Sequence, residues 1–219
     1  MKIATWNVER VSNPSKRHKS IVEKLENIQA DILVLTETIE NIELKTSYHQ
    51  IHTSNLCDSA YKPFEKKVSV FTKYEIIQQI NTYQHNTAVC ATVKAPIGAL
   101  TVYGTIIGIH GNRRQSFKAD LELQIEDYIK IAQSNNLCII GDLNMSFADN
   151  YYFTNEGRQK LESTFEKLQL KNLTKDIPEN IDHIVLASAL VKDKKVVIDV
   201  WNRDKKLSDH IGVAVTISD

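Results

Sequence analysis

Leu137-Cys138-Ile139-Ile140-Gly141-Asp142-Leu143-Asn144-Met145 is the stretch from which the fold of this chain is read. Its four leading apolar residues form a short run that can be buried on both faces, and its length and bounding favour a strand over a helix. Gly141 then frees the backbone, and Asp142 and Asn144 follow two positions apart. On an extended chain residues i and i+2 point the same way. A carboxylate and a carboxamide therefore emerge side by side from the end of a buried strand. The first can bind a cation or take a proton; the second donates and accepts without titrating. Open α/β folds place ligands beyond the carboxyl ends of their strands. An ordinary turn is the competing reading, because Gly, Asp and Asn are common turn residues, and this stretch alone leaves both open.

Working outward, other polar groups stand at the ends of other apolar runs. Residues 2–9 read as a strand with Asn7 and Glu9 near its end. Asn13-Pro14 reads as a helix entry, a cap followed by proline at the first helical position. Ile21, Leu25 and Ile28 then recur on one helical face. The run Ile32 to Leu35 is a second buried strand with Glu37 just past it. Strand-like runs follow at 48–52, 68–71, 87–93 and 99–109, with a hairpin turn expected at Pro96-Ile97-Gly98. The polar stretch from Thr53 to Lys67 reads as a long surface loop whose lysines face solvent. His110 ends one of these strands, followed by Arg113 and Arg114. Phe117, Leu121, Ile125, Tyr128 and Ala132 then make an apolar helical stripe. A loop rich in aromatics, Phe147 and Tyr151 to Phe153, leads to a helix carrying Leu161, Phe165 and Leu168, capped by Thr154 or Asn155. Asp182 begins the strand Ile181 to Leu186, Val196 to Trp201 is another, and Ser208-Asp209-His210 precedes the last, Ile211 to Ile217. With no repeat, low-complexity stretch or composition break, residues 1–219 read as a single domain.

Composition bounds the classes. A 219-residue chain with 42% hydrophobic and 25% charged residues is ordinary for a globular protein and long enough to bury a core without staples. Lys plus Arg and Asp plus Glu are 27 each, so no global positive field gathers polyanions, which weakens a long duplex as substrate. Cys57, Cys90 and Cys138 form neither a zinc-type pair nor a disulfide framework. Buried free thiols fit a reducing, cytoplasmic setting, and no signal peptide or membrane-spanning run is expected. Catalysis then relies on oxygen and nitrogen ligands.

Six separate segments thus place polar groups beside buried strands, and together they supply every part needed to hydrolyse a phosphate ester. Oxygen-rich ligands suit magnesium or manganese, and histidines contact or protonate phosphate oxygens. The ordered set Thr5-Trp6-Asn7-Val8, Leu35-Thr36-Glu37, Ile109-His110, Gly141-Asp142-Leu143-Asn144, Ile181-Asp182-His183-Ile184 and Ser208-Asp209-His210 resembles the endonuclease/exonuclease/phosphatase superfamily, the DNase-I-like fold. The resemblance implies a four-layer α/β/β/α sandwich of two mixed sheets flanked by helices. It implies Glu37 as principal divalent-metal ligand with Asn7 beside it and Asp209 at the metal side. It implies Asp142 as the residue that activates or positions water, with Asn144 orienting water and phosphate. His210 would contact the scissile phosphate with Asp182 fixing its tautomer, and His110 would be a phosphate contact or general acid. His183, next to Asp182, faces the other way on a strand and takes no part in the expected site. The family often has Gln before the metal-binding Glu; here Thr36 stands there. The chain is also short for the family, which argues against insertions that embrace a duplex.

The function expected is a Mg²⁺- or Mn²⁺-dependent phosphodiester hydrolase, in first place a nuclease acting on DNA or RNA, with Arg113 and Arg114 holding backbone phosphates and Tyr151 and Tyr152 stacking on bases. The alternative is a phosphatase or phosphodiesterase for an inositol, sugar or lipid headgroup phosphate on the same fold. A catalytically silent binding module is a distant third, since each catalytic position is filled. A monomer is assumed.

Overall fold

β-Branched and aliphatic runs become strands and the 3.6-residue stripes become helices in a computed structural model of the chain, which describes residues 1–11, 14–40, 42–54, 62–108, 111–133 and 136–219. In chain order these are β1 (Lys2–Asn7), α1 (Lys16–Ile28), β2 (Ile32–Ile39), β3 (His49–His52), β4 (Glu65–Thr72), β5 (Ile76–Ile80), β6 (Ala88–Ala95), β7 (Gly98–Ile106), α2 (Gln115–Ala132), β8 (Asn136–Asp142), α3 (Asn155–Lys167), β9 (Leu170–Asn172), β10 (Asp182–Ala187), β11 (Lys195–Trp201) and β12 (Gly212–Ser218).

The strands form two six-stranded sheets, ordered β11-β12-β1-β2-β4-β3 and β5-β6-β7-β8-β10-β9. Each is built on one parallel pair joined across a helix, β1 with β2 through α1 and β7 with β8 through α2. The remaining pairs are antiparallel. Both sheets therefore repeat one pairing pattern. Alternation along the strands sorts side chains into layers. Ile3, Val34, Val70, Val102, Ile140 and Ile184 fill the space between the sheets. Trp6, Leu33 and Leu35 meet Ile21 and Leu25 of α1 on one outer face. Tyr103, Ile139 and Val185 meet Phe117 and Leu121 of α2 and Leu161 of α3 on the other. This is the four-layer α/β/β/α sandwich, each buried aliphatic side chain contributing roughly 1.5–3 kcal/mol.

Several local expectations need correction. The cap of α1 is Ser15, whose side chain accepts from the His18 amide at 3.0 Å. Pro14 lies before it, outside the helix, and Asn13 lies outside the described residues. On α2 the inward residues are Phe117, Leu121, Gln124, Tyr128 and Ile131. Ile125 and Ala132 sit at the margin, one position off the stripe. Lys66 and Lys67 belong to β4 rather than a loop, and Lys66 is buried against Glu40 at 3.3 Å. The expected strand 99–109 ends at Ile106. β5 and β9 were not expected: β5 is an exposed edge and β9 has three residues, so neither carries a long apolar run. The hairpin between β6 and β7 is as read, with Gly98 at φ 100°. Cys90 and Cys138 are buried free thiols. Burial pushes both up to about 12, which keeps them protonated and unreactive; Cys57 lies outside the described residues. Among the described residues, no helix is long and apolar enough to cross a membrane.

Candidate active site

The inner face of the sandwich turns polar at one end. Ile3 faces the core between the sheets, so Asn7, four positions on, faces the same way. The same alternation carries Cys138 and Ile140 to Asp142, and Leu186 and Ile184 to Asp182. Asp142 and Asp182 are register partners on the antiparallel strands β8 and β10, so two carboxylates stand side by side. Glu37 breaks the alternation. It adopts a left-handed φ of 45° within β2, and its carboxylate turns back toward Asn7. Gly141 has φ 134°, and a Cβ there would sit 2.0 Å from the Thr105 carbonyl oxygen, so only glycine lets β8 pass β7 at this point.

Hydrogen bonds join these ends. The Asn7 side-chain amide donates to Glu37 Oε1 at 3.3 Å and to Asp142 Oδ2 at 3.2 Å, bridging the two sheets. The Asn144 backbone amide donates to Asp142 Oδ1 at 2.8 Å, while its side-chain amide donates to the Ile107 carbonyl at 2.9 Å. Asn144 itself is left-handed, φ 50°, a conformation asparagine tolerates better than most residues. His210 Nδ1 lies 2.6 Å from Asp182 Oδ2, and its Nε2 lies 3.7 Å from the exposed Asp209 carboxylate. Arg10 Nε rests 3.2 Å from Glu37 Oε2.

Charge follows from this crowding. Burial opposes a positive His210, but the Asp182 and Asp142 carboxylates outweigh it and raise its pKa. Burial pushes Asp142 well above the usual carboxylate range, helped by Asp182 and Glu37 and opposed by His210. Like charges held together in a dry site stabilise each other's protonated form. Asp182 Oδ1 is buried and has no hydrogen-bond partner among the described residues, a state that ordinarily costs about 1–3 kcal/mol. A cluster with more carboxylates than cations, an orphaned oxygen and only oxygen and imidazole donors fits a hard divalent ion. Asp142, Asp182 and His210 bring ligand atoms within 4.8 Å of one another, and Glu37 joins them through Asn7.

Every expected residue within the described regions lies at or beside this end of the sandwich; His110 lies outside the described residues. A cavity of about 200 Å³ is lined by Asn144, Tyr151, Tyr152, Asp182, Asp209 and His210. A second cavity of about 350 Å³, lined by Asn112, Arg113, Arg114, Tyr151 and Tyr152, adjoins it through the shared tyrosines. Both arginines are exposed, and Tyr151 is held by Lys205, whose ammonium donates to its hydroxyl at 2.8 Å.

Three supporting residues escaped the sequence reading. The Asn112 side-chain amide donates to the Asn144 carbonyl at 2.9 Å. The Ser208 hydroxyl donates to the Asn7 carbonyl at 2.7 Å and accepts from the His210 amide at 3.2 Å. Arg10 reaches Glu37 from a left-handed backbone, φ 48°. Ser208 stands in a quoted motif, but its role depends on which strand lies next to it.

The model of the Endonuclease/Exonuclease/phosphatase family matches residues 4–210. No curated protein matches the sequence. Among solved structures, an AP endonuclease from Archaeoglobus fulgidus has a TM-score of 0.73 at 16% identity, covering 100% of both chains. A 3'-5' exonuclease from Neisseria meningitidis has 0.68 at 19%, again covering 100% of both. An endonuclease/exonuclease/phosphatase family protein from Leptotrichia buccalis has 0.68 at 15%, with the same full coverage. At these identities the structural likeness speaks for the fold.

Proposed function

From the premise that this chain belongs to the endonuclease/exonuclease/phosphatase family, a family of phosphoester hydrolases, we propose that it is a divalent-metal-dependent phosphodiesterase acting on DNA or RNA. The observation that carries the reading is the Asn7 bridge, which draws Glu37 of one sheet and Asp142 of the other to one point beside the Asp182–His210 pair.

In this reading Glu37, with Asn7 and Asp209, holds Mg²⁺ or Mn²⁺, which when bound supplies charge neutralisation at the phosphate and the leaving oxygen. Asp142 orients the attacking water and takes its proton as the water oxygen bonds to phosphorus and the P–O bond to the leaving oxygen breaks, the departing oxygen taking a proton from solvent. Asn144 keeps that carboxylate in place through its backbone amide. His210, kept positive by Asp182, donates to a non-bridging phosphate oxygen as negative charge grows there. Arg113 and Arg114 hold a neighbouring phosphate and Tyr151 and Tyr152 offer ring faces to bases, because their cavity adjoins the one at His210. His110 remains a proposed phosphate contact or general acid. A cytoplasmic location is part of the proposal and rests on the reduced cysteines.

A second reading is a phosphatase for a small phosphate ester. The observation favouring it is the size of the His210 cavity, about 200 Å³, which suits a phosphate with a small alcohol. One panel separates the two: single- and double-stranded DNA, RNA, and inositol and sugar monophosphates, each with magnesium, with manganese and with EDTA. Cleavage of polymer that EDTA abolishes and His210→Ala lacks supports the nuclease. Phosphate release from the small esters with intact polymers overturns it in favour of the second reading. Turnover undiminished in EDTA removes the metal from either.

A further inference from the structure

We propose that His183 is a positioning residue of this active site, holding the Asp142–Asn144 segment in place from behind the sheet; the inference rests on the phosphodiesterase reading above for its kinetic arm only. His183 follows Asp182 on β10 and points to the opposite face, into the layer under α2 and α3, where its neighbour in alternation is Val185. An aliphatic residue would pack there without cost. Instead a fully buried imidazole occupies the position, and an unpaired buried polar group is destabilising.

Its partners explain its presence. Nε2 lies 2.8 Å from the Met145 carbonyl oxygen, which can only accept, so Nε2 carries the proton. Nδ1 is then the acceptor, facing the Thr174 hydroxyl at 3.0 Å and the side-chain amides of Asn172 and Asn180 at 3.4 Å each. The Phe147 ring meets the imidazole edge-on, centroids 4.8 Å apart. Asn180 also donates to the Asp182 carbonyl and accepts from the Asp182 amide at 3.3 Å. The ring is thereby fixed relative to the strand that carries the His210 partner.

Met145 is the residue after Asn144. Past Asp142 the chain leaves the β8 ladder, so its peptide groups need partners other than a strand. The Leu143 amide donates to the Ile181 carbonyl at 2.9 Å and the Ser146 amide to the Tyr152 carbonyl at 2.7 Å. Asn112 takes the Asn144 carbonyl and His183 takes that of Met145. The His183 bond therefore restrains the Met145–Ser146 peptide, one peptide beyond that of the left-handed Asn144, whose backbone amide in turn orients Asp142. Neighbouring residues on β10 thus act on opposite faces: Asp182 on His210, His183 on the loop of Asp142 and Asn144.

The test compares His183→Gln, which keeps a donor where Nε2 was, with His183→Asn, which keeps polarity near Nδ1 but cannot reach Met145, and with His183→Leu. Each purified protein is checked for folding by circular dichroism and assayed on a cleaved oligonucleotide. Hydrogen exchange at the Asn144 amide is measured in parallel. Expected for His183→Asn is a kcat about 10–100-fold lower, in line with the loss of a supporting bond. Its KM should be unchanged and exchange at Asn144 faster. His183→Gln should recover kcat to within about threefold and restore slow exchange. Should His183→Leu fail to fold, the Gln and Asn pair still decides. Equal kcat and equal exchange in that pair overturn the proposal, as does a wild-type kcat in a folded Leu variant. If the wild type cleaves no phosphodiester, the functional reading falls, and exchange at Asn144 alone decides the positioning role.

Discussion

Behind β1 and β2 the outer layer is apolar; behind β7 and β8 an apolar layer of similar size also carries buried polar side chains joined by hydrogen bonds. In the first sheet Trp6 meets Trp201 edge to face at 5.9 Å, and Ile21, Leu25 and Leu33 complete the seal under α1. In the second, the Thr105 and Tyr128 hydroxyls donate to Gln124 Oε1 at 2.8 and 2.7 Å, and Gln124 Nε2 donates to the Ile106 carbonyl at 3.3 Å. Tyr83 and the Gly108 amide donate to Asp120 at 2.7 and 3.1 Å. Strand pairing is the same in both sheets, so topology does not account for the contrast. The work of each half does. The first sheet presents Asn7 from the end of β1 and Glu37 from within β2, with left-handed backbone at Glu37 and, just past β1, at Glu9 and Arg10. The second must hold irregular chain after Ile106 and after Asp142, where peptide groups have left the ladder and need side-chain partners. The polar residues under α2 and α3 thus hold the chain after Ile106 and after Asp142, the segments on which the proposed active site rests.

The largest expected effect lies where the two halves meet. His210→Ala and Asp142→Asn should each lower turnover by about two to three decades, or ~2.7–4 kcal/mol of barrier, with the fold intact; a wild-type rate in either folded variant would remove that residue from the site. Next, the two outer layers should fail differently. Leu25→Ala in the apolar layer should cost about 2–5 kcal/mol of stability by denaturant titration with kcat of the folded protein unchanged. Gln124→Leu in the layer behind β7 and β8 should cost about 1–3 kcal/mol by stranding two hydroxyls and lower kcat as well. If both leave kcat alone, the contrast between the layers is structural only.

Acid should also distinguish the halves. Burial lowers the pKa of His183 to about 4, so between its unfolded value near 6.5 and about 4 the unfolded chain binds a proton that the native state refuses. Stability falls as pH drops through that window and is regained above it. Set against His183→Gln, which cancels the other titrations, the wild type should lose on the order of 3 kcal/mol more between pH 7 and pH 4. Parallel curves for the two proteins would show that the imidazole is not held neutral. The smallest effect belongs to the exposed rim. Arg113→Ala with Arg114→Ala should weaken oligonucleotide binding and lower the salt dependence of log K by about one to two, leaving hydrolysis of a small diester unchanged. An unchanged salt slope would return the arginines to the solvated surface.

Residue order alone was enough for the strands and helices around Ile32–Leu35 and Leu137–Ile140, the buried thiols, the family, and the polar residues at strand ends. Those signals are local: a run of aliphatics, a two-residue spacing, a motif in order. The remaining features arise between distant segments. Asn7 meets Asp142 across 135 residues and Ser208 meets Asn7 across 201, separations over which no periodicity reports. The left-handed backbone at Glu37 is set by packing and hydrogen bonds rather than by residue type. His183 was read correctly as facing away from Asp182 and therefore set aside. Its partner, the Met145 carbonyl, is a backbone atom that carries no sequence signature, so its bond to the chain after Asp142 exists only in three dimensions.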